Sequence, residues 1–140
     1  NLYLGAEEIS FYHVPGHTED SMLVVTSKQV FTGDFLFTGE SGVGRDDLPS
    51  GRVQAHWESL RVMSKLSPAL LVCTGHEAPG VEMQTLEWNY QHNPILQMDD
   101  FADYLKWQND TTAQLGYVSK IKVALPANLF GEIPDEIPWL

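Results

Sequence analysis

The sequence predicts an α/β fold of the α+β type, in which an antiparallel or mixed sheet carries flanking helices. Two observations support this prediction. Short segments rich in β-branched and aromatic residues occupy the first third of the chain, and segments with apolar residues at helical spacing follow them. The chain has 140 residues, 43% of them hydrophobic and 19% charged, which suits one globular domain with a buried core.

Three strands are predicted at the start of the chain, over residues 8–14, 21–26 and 30–32. Pro15-Gly16 marks a turn after the first strand, and a short polar connection joins the second to the third. The three strands should therefore form an antiparallel unit that is covered on one face. A long, glycine-rich loop follows over residues 33–51. Long ordered loops in compact domains tend to be functional, so this loop is predicted to line a pocket.

Three helices are predicted, over residues 52–66, 81–92 and 98–108. In each helix the apolar side chains recur at helical spacing and should face the core: Val53, Trp57, Leu60 and Met63 in the first, Met83, Leu86 and Tyr90 in the second, and Phe101, Tyr104 and Leu105 in the third. Asn93-Pro94 should end the second helix, and Asp99 or Asp100 should cap the third.

A short apolar run over residues 69–73 predicts a buried strand between the first two helices, and Cys73 lies in it. Cys73 is the one cysteine of the chain, so a disulfide within the chain is excluded. A lone thiol fits a reducing compartment, and we predict a cytoplasmic location. Residues 1–131 are predicted to form the domain, and residues 132–140 an acidic, proline-rich, extended tail.

The net charge of −11 argues against two classes of partner. Nucleic acids and anionic membrane surfaces are recognised by basic patches, and this chain has 8 Lys and Arg residues against 19 Asp and Glu residues. No run of about 18 apolar residues occurs, so no membrane-spanning helix is expected. A small-molecule substrate is the expected partner.

Three short turns carry side chains of the kind that bind metals. Each of His17, Asp34 and His76 follows a glycine just beyond a predicted strand. Imidazole and carboxylate groups together bind first-row divalent metals, and a preceding glycine allows a sharp turn and a close backbone approach. The spacings of 17 and 42 residues are too long for a local finger-type site. They predict a site that is assembled by tertiary folding.

The other three histidines are weaker candidates for metal binding. His13 lies in a predicted strand, and His56 and His92 lie in predicted helices. A single histidine is more often structural than a metal ligand, and we expect structural roles for these three.

The three metal turns (PGHT from residue 15, FTGD from residue 31 and TGH from residue 74) resemble those of the C-terminal half of the metallo-β-lactamase superfamily. The loop over residues 44–51, GRDDLPSG, resembles the Gly-Arg-Thr-Asp loop of the persulfide dioxygenase (sulfur dioxygenase) branch and its glyoxalase II-like relatives. Asn93-Pro94 after a helix and the segment KIKVALPANL over residues 120–129 also resemble that branch.

This resemblance implies the second half of an αββα sandwich, with the metal at one edge between two sheets. It implies iron (Fe²⁺) or zinc, as one or two ions. His17 would bind the first metal position, and Asp34 would be terminal at a mononuclear iron or bridge two zinc ions. His76 would bind the second ion in dinuclear hydrolases and lie near the metal, unbound, in iron dioxygenases. Arg45 would help to hold a thiol substrate, and Asp47 would shape the same loop.

The chain departs from the superfamily pattern in four places. The His-x-His-x-Asp-His motif of the N-terminal half is absent, so a further ligand is expected from outside the chain. Glu19-Asp20 replaces Pro-Gly after the first turn and adds charge near His17. The turn His76-Glu77-Ala78 lacks the tyrosine of Gly-His-Asp-Tyr turns, which weakens the expectation of glutathione binding. The cysteine expected near the end is missing from residues 127–131.

Three functions are open at this point. The first is persulfide dioxygenase-like oxidation of a thiol persulfide to sulfite at a mononuclear iron. The second is glyoxalase II-like hydrolysis of a thioester or lactone at a dinuclear zinc site. The third is a non-catalytic half-domain that keeps the fold without the site. A half-sandwich would expose a large apolar sheet face, so association with the N-terminal half or with another copy of the chain is expected.

Overall fold

The computed structural model describes residues 1–115 and 130–131. Its five strands lie side by side in chain order: β1 (Leu2–Leu4), β2 (Glu7–His13), β3 (Met22–Val25), β4 (Gln29–Gly33) and β5 (Leu71–Thr74). Strands β1 to β4 pair antiparallel, and β5 pairs with β4 in parallel. The predicted mixed sheet is therefore confirmed. The sequence pattern does not predict β1, because three residues are too few to display an alternating period.

Within residues 1–115, three α-helices follow: α1 (Val53–Leu60), α2 (Leu86–His92) and α3 (Phe101–Leu115). The predicted start of the second helix at Val81 is wrong. The chain first runs alongside β5, where the Val72 amide donates to the Gln84 carbonyl. The Thr85 side chain then accepts a hydrogen bond from the Trp88 amide and begins α2 as its N-cap.

The other two helices differ from the prediction at their ends. α1 ends at Leu60, short of the predicted residue 66, and the chain continues as a 3-10 turn over Met63–Lys65. α3 begins at Phe101 and extends well beyond the predicted end. Asp100 Oδ1 accepts from the Ala102 amide at 2.6 Å, so Asp100 is the predicted cap that stabilises the start of α3.

The helices cover one face of the sheet with the predicted apolar side chains. Met63, Leu86 and Tyr104 are each 0% exposed, as their spacing predicts. Leu105 is 37% exposed, so its predicted inward orientation is wrong. Met83 is 58% exposed because it lies before the start of α2 and has no helix face to occupy.

The sheet has one covered face and one open face, because successive side chains of a strand point to opposite sides. Fully buried side chains of adjacent strands lie on the covered face: Leu23, Val30 and Val72. The strand register places one row of side chains across β2 to β5 on the open face: Phe11, Val24, Phe31 and Cys73. Phe11 and Phe31 are 43% and 42% exposed. Although Cys73 lies in this row, it is 8% exposed and thus buried, as predicted, and this burial raises the pKa of its thiol.

The long loop after β4 is an ordered part of the core. Phe35, Leu36 and Val43 are all buried. The Asn93 side chain, itself 0% exposed, donates to the Phe37 carbonyl at 3.1 Å and to the Gly42 carbonyl at 2.9 Å. Asn93 therefore does more than end α2, because it also fixes the shape of this loop.

The predicted tail lies outside the described residues, as does the segment 120–129 that carries part of the family resemblance. The longest described helix is α3, with 15 residues. The described part of the chain contains no helix with the length and apolar character of a membrane span.

Candidate metal centre

The three predicted ligand turns meet at one edge of the sheet. Strands β2, β4 and β5 all run toward this edge, because β2 and β4 are both antiparallel to β3 and β5 is parallel to β4. Asp34 directly follows β4, and His76 comes shortly after β5. Asp34 Oδ2 lies 3.7 Å from His17 Nε2 and 3.4 Å from His76 Nε2. All three predicted residues are therefore brought together around one carboxylate.

The glycine before each candidate ligand has its own physical reason. Gly33 has a φ of +52°, a left-handed conformation that favours glycine. Gly75 lies against the carboxylate, since a Cβ there would come within 2.3 Å of Asp34 Oδ1. Gly16 lies against α1, since a Cβ there would come within 2.3 Å of the His56 Cα. Gly33 therefore permits a sharp turn, whereas Gly16 and Gly75 permit close approach to His56 and to Asp34.

The His17 ring is held by the loop between β4 and α1. Its Nδ1 lies 2.6 Å from the Arg45 carbonyl oxygen. A carbonyl oxygen only accepts, so Nδ1 carries a proton, and in the neutral ring Nε2 presents a lone pair toward Asp34. A Cβ on Gly44 would lie 2.8 Å from His17 Nδ1 and 1.9 Å from the Asp34 carbonyl oxygen. The His17 side chain is 15% exposed, and packing and this hydrogen bond fix its orientation.

The His76 ring lies on the solvent side of the same carboxylate. Its side chain is 71% exposed, and its ring centroid is 4.9 Å from that of Phe37. The next residue, Glu77, accepts from the Thr38 amide at 2.6 Å and ties this turn to the loop. A cleft of about 200 Å³ opens here, lined by Phe37, Ser41, His76, Glu77 and Ala78. No sequence signal marks Phe37, and Glu77 is marked only as a departure from a family turn.

The Arg45 side chain pairs with Asp47 two residues along the loop. Arg45 Nε donates to Asp47 Oδ1 at 2.5 Å, and Nη2 donates to Oδ2 at 2.6 Å. This hydrogen-bonded pair raises the pKa of Arg45 and lowers that of Asp47. Burial raises the pKa of the intervening Asp46. The role of the Arg45 side chain toward a substrate stays a prediction, whereas its backbone carbonyl has a contact with the site that residue type alone does not signal.

The three weaker histidine candidates lie in different surroundings. His13 is exposed, and its Nε2 lies 2.7 Å from the Glu19 carbonyl oxygen. His92 stacks on Trp88, with ring centroids 4.0 Å apart. His56 is 0% exposed and lies behind the ligand turns, on the side of α1.

The donor set suits part of a centre for a divalent metal. With His17 neutral, two lone-pair atoms, His17 Nε2 and Asp34 Oδ2, face each other beyond hydrogen-bond distance. Two ligand atoms that each lie about 2.1 Å from one ion in tetrahedral geometry are about 3.4 Å apart, which resembles the measured spacings. Among the described residues, no three His, Cys, Asp or Glu side chains form a finished metal-binding group. Further donors are therefore required to complete a site.

The model of one protein family, described as the metallo-beta-lactamase superfamily, matches residues 3–76. The matched segment contains all three candidate ligand turns. Among curated proteins, the probable polyketide biosynthesis zinc-dependent hydrolase PksB of Bacillus subtilis is 35% identical over 98 residues, which cover 67% of this chain and 41% of that protein. A hydroxyacylglutathione hydrolase of Cereibacter sphaeroides is 41% identical over 76 residues, which cover 53% of this chain and 28% of that protein.

Two solved structures also resemble this chain, and one of them does so over a larger share of its length than the curated relatives. The crystal structure of ETHE1 from Myxococcus xanthus matches with a TM-score of 0.77 and 29% identity, covering 91% of this chain and 55% of that one. TTHA1623 in a di-iron-bound form matches with a TM-score of 0.54 and 34% identity, covering 61% of this chain and 41% of that one. The chain thus spans less than half the length of the two curated relatives and about half that of ETHE1.

Proposed function

The chain belongs to the metallo-β-lactamase superfamily, and from this premise we propose that it supplies the later ligands of a metal centre. The family and fold that the sequence predicted are confirmed. We assign His17 and Asp34 as ligands, and His76 as a ligand of a second ion or a neighbour of the first. One observation carries the proposal: two imidazole Nε2 atoms approach a single carboxylate oxygen, at 3.7 and 3.4 Å.

We propose that a second sheet, from residues outside this sequence, completes the centre. The chain spans 55% of ETHE1, so a larger protein has room for such a sheet. The open face of the present sheet supports this, because Phe11, Met22 and Phe31 are 43%, 49% and 42% exposed on it. Covering them would stabilise the pair of sheets by about 25 cal/mol for each Å² of apolar surface removed from water. Face-to-face packing would also bring the missing ligands to the edge where the three turns lie.

The reaction that we propose first is the oxidation of a thiol persulfide to sulfite at one iron ion. The likeness to ETHE1 over 91% of this chain supports it, as does the Gly-Arg-x-Asp pattern of the loop. The two histidines also differ, since within the described residues a backbone carbonyl orients the His17 ring by a hydrogen bond and none orients the His76 ring. This difference suits one well-defined metal position. Bound Fe²⁺ would supply the oxygen chemistry.

The residues of the chain would hold and orient the reactants. His17 and Asp34 would hold the ion with their fixed geometry. The cleft beside His76, with the apolar ring of Phe37 on one side, would accept the persulfide end of the substrate. Arg45, with Asp47 fixing its guanidinium group, would orient the thiol carrier.

Hydrolysis of a thioester or lactone at two zinc ions is the second candidate. One geometric observation favours it: Asp34 Oδ2 is about as close to His76 as to His17, so this carboxylate would suit a site in which two ions share it. PksB is named a zinc-dependent hydrolase, and the Cereibacter relative a hydroxyacylglutathione hydrolase. Bound zinc would supply a water with a lowered pKa. His76 would then hold the second ion.

The test is the metal content and the reaction of the full-length protein. The protein is incubated with Fe²⁺ or with Zn²⁺ in the absence of oxygen, and unbound metal is then removed. We expect one iron per chain, with sulfite formed and O₂ consumed when cysteine, glutathione or coenzyme A persulfide is added. Two zinc ions per chain and thioester hydrolysis without O₂ uptake would support the second candidate instead. Failure to retain either metal would overturn both.

A further inference from the structure

We propose that His56 and Gln108, two buried polar side chains of α1 and α3, are positioning residues. Their hydrogen bonds to backbone carbonyls fix the turns that carry and orient the candidate ligands. This inference rests on the proposed metal site. It concerns residues that do not themselves bind the metal, and that superfamily motifs do not mark in this sequence.

His56 holds the turn that carries Asp34. Its side chain is 0% exposed, and its Nε2 lies 2.9 Å from the carbonyl oxygen of Phe35, the residue after Asp34. The carbonyl oxygen only accepts, so Nε2 donates. The two rings also pack together, with centroids 4.8 Å apart. The backbone directly after the carboxylate is therefore fixed to α1.

The same residue abuts the turn that carries His17. Gly16 lies so close to it that a Cβ on Gly16 would come within 2.3 Å of both Cα and Cβ of His56. The Gly16 carbonyl accepts from the Arg52 amide at the start of α1, at 2.8 Å. One end of α1 thus contacts the residue before His17 and the residue after Asp34. His56 is the side chain that spans the two turns.

Gln108 holds the third element, the loop that orients the His17 ring. It is 1% exposed, and its Nε2 donates to the Gly44 carbonyl at 3.1 Å and to the Tyr104 hydroxyl at 2.8 Å. Gly44 packs against the His17 ring, and the carbonyl of the next residue, Arg45, accepts from that ring. Gln108 therefore fixes the backbone on which the tautomer of His17 depends.

Packing alone does not explain polar side chains at these two positions. His56 Nδ1 and Gln108 Oε1 are buried and have no hydrogen-bond partner within the described part of the chain. A leucine or methionine would fill similar space without an unpaired buried acceptor. The groups that these side chains do bind are carbonyls next to Asp34 and next to the residue that orients His17. Both polar side chains thus act on the same pair of candidate ligands.

The consequence is a defined separation between His17 Nε2 and Asp34 Oδ2. Groups that orient metal ligands typically change metal affinity by about 10- to 100-fold when they are removed. We expect that range for His56→Leu and for Gln108→Met in the full-length protein. His56→Gln should recover most of the affinity, because its amide nitrogen can donate to the same Phe35 carbonyl.

The experiment measures the Zn²⁺ dissociation constant by competition with a chromophoric chelator, together with the melting temperature of the metal-free protein. Met63→Ala is the matched control, because Met63 is 0% exposed near the same helix and its loss creates a cavity in the core. The control should melt at a lower temperature and bind Zn²⁺ as the wild type does.

Three results would overturn the inference. An unchanged dissociation constant in both His56→Leu and Gln108→Met, with a wild type that binds Zn²⁺, would overturn it and leave the proposed function intact. If Met63→Ala lost as much Zn²⁺ affinity as His56→Leu and Gln108→Met, the loss would be explained by general destabilisation of the fold. If His56→Leu does not fold, His56→Gln replaces it as the test. A His56→Gln variant that binds Zn²⁺ 10-fold more weakly than the wild type would contradict the role of the hydrogen bond to the Phe35 carbonyl. A wild type that binds no metal would overturn the proposed function itself.

Discussion

His17 and His76 face the same carboxylate oxygen from two differently built sides of the site. The His17 side chain is 15% exposed, its Nδ1 is bonded to a backbone carbonyl at 2.6 Å, and Gly44 packs against its ring. The His76 side chain is 71% exposed, and the described residues give its ring a contact with Phe37 and no hydrogen bond to Nδ1.

This difference indicates which half of the site is organised before a ligand binds. The His17 side has one ring orientation and one tautomer, so little conformational entropy is lost when an ion is bound there. The His76 side is largely exposed, which would suit a second ion, a substrate or an outer ligand. The following experiments test that contrast, beginning with the largest expected effect.

Removal of a ligand from the organised side should abolish metal retention. We expect Asp34→Ala and His17→Ala, made in the full-length protein, to retain no metal after gel filtration, as measured by elemental mass spectrometry. The reason is that both remove a donor atom from the one preorganised position. His13→Ala is the control, since His13 is exposed and bonded to the Glu19 carbonyl. Full occupancy in either ligand variant would contradict the assignment of the site.

Two glycine variants separate backbone damage from ligand damage. In Gly44→Ala the new Cβ meets the Asp34 backbone carbonyl at 1.9 Å, which has to move, and we expect a loss of about 3 kcal/mol in the free energy of unfolding. In Gly75→Ala the nearest atom is Asp34 Oδ1, at 2.3 Å, which can rotate away. Gly75→Ala should therefore lose less stability but bind metal more weakly by about 10-fold or more.

Denaturant titrations and metal competition on both glycine variants make this distinction. Gly80→Ala serves as the reference, because a Cβ at Gly80 meets no atom within 4 Å, although its φ of +89° makes the substitution strained. If Gly75→Ala bound metal as tightly as Gly80→Ala, the carboxylate position would not depend on the close approach of Gly75.

Acid should weaken the organised side through His56. Burial lowers the pKa of His56 from its ordinary value of 6.5 to about 4. The unfolded chain therefore takes up a proton as the pH falls through 6.5, whereas the folded chain does so only near pH 4. Stability from neutral His56 is thus present above pH 6.5 and is lost as the pH falls, by about 2 kcal/mol at pH 5.

Chemical denaturation of the metal-free protein between pH 7 and 5 measures this loss. His56→Gln provides the comparison, since it keeps a donor for the Phe35 carbonyl but has no group that titrates in this range. A wild type whose stability depends on pH no more than that of His56→Gln would contradict the lowered pKa.

The smallest effect on stability is expected on the His76 side of the site. We expect His76→Ala to change the free energy of unfolding by less than about 0.5 kcal/mol, because the side chain is 71% exposed. It should also retain the ion held by His17 and Asp34. Elemental analysis and activity of the full-length protein check both. Retained activity favours one iron, whereas loss of one of two ions together with activity favours the dinuclear hydrolase.

Much of the site could be predicted from local sequence, and the reason is chemical. Histidine and aspartate after glycine, just beyond apolar runs, already marked His17, Asp34 and His76, and the structure brings these three together. Strands and helices with a strong period were also predictable, because alternation and helical spacing reflect which side chains are buried. The structure of residues 81–85 was not predictable in this way, since hydrogen bonds between this segment and β5 override the helical spacing that begins at Met83.

What the sequence determined by itself is the set of candidate donor groups, the family to which the chain belongs and the approximate order of strands and helices. Only the tertiary structure decided how those donors are held. The contacts that hold them join segments that are distant in the chain. These contacts are the hydrogen bond from His17 to the Arg45 carbonyl, the close approaches of Gly44 and Gly75, and the buried hydrogen bonds of His56 and Gln108. Such contacts involve backbone carbonyls and the space left by a missing side chain. Every residue has a backbone carbonyl, and glycines occur in many turns, so no local sequence pattern predicts these contacts. Parallel pairing of β5 with β4 is of the same kind, and it places His76 beside Asp34.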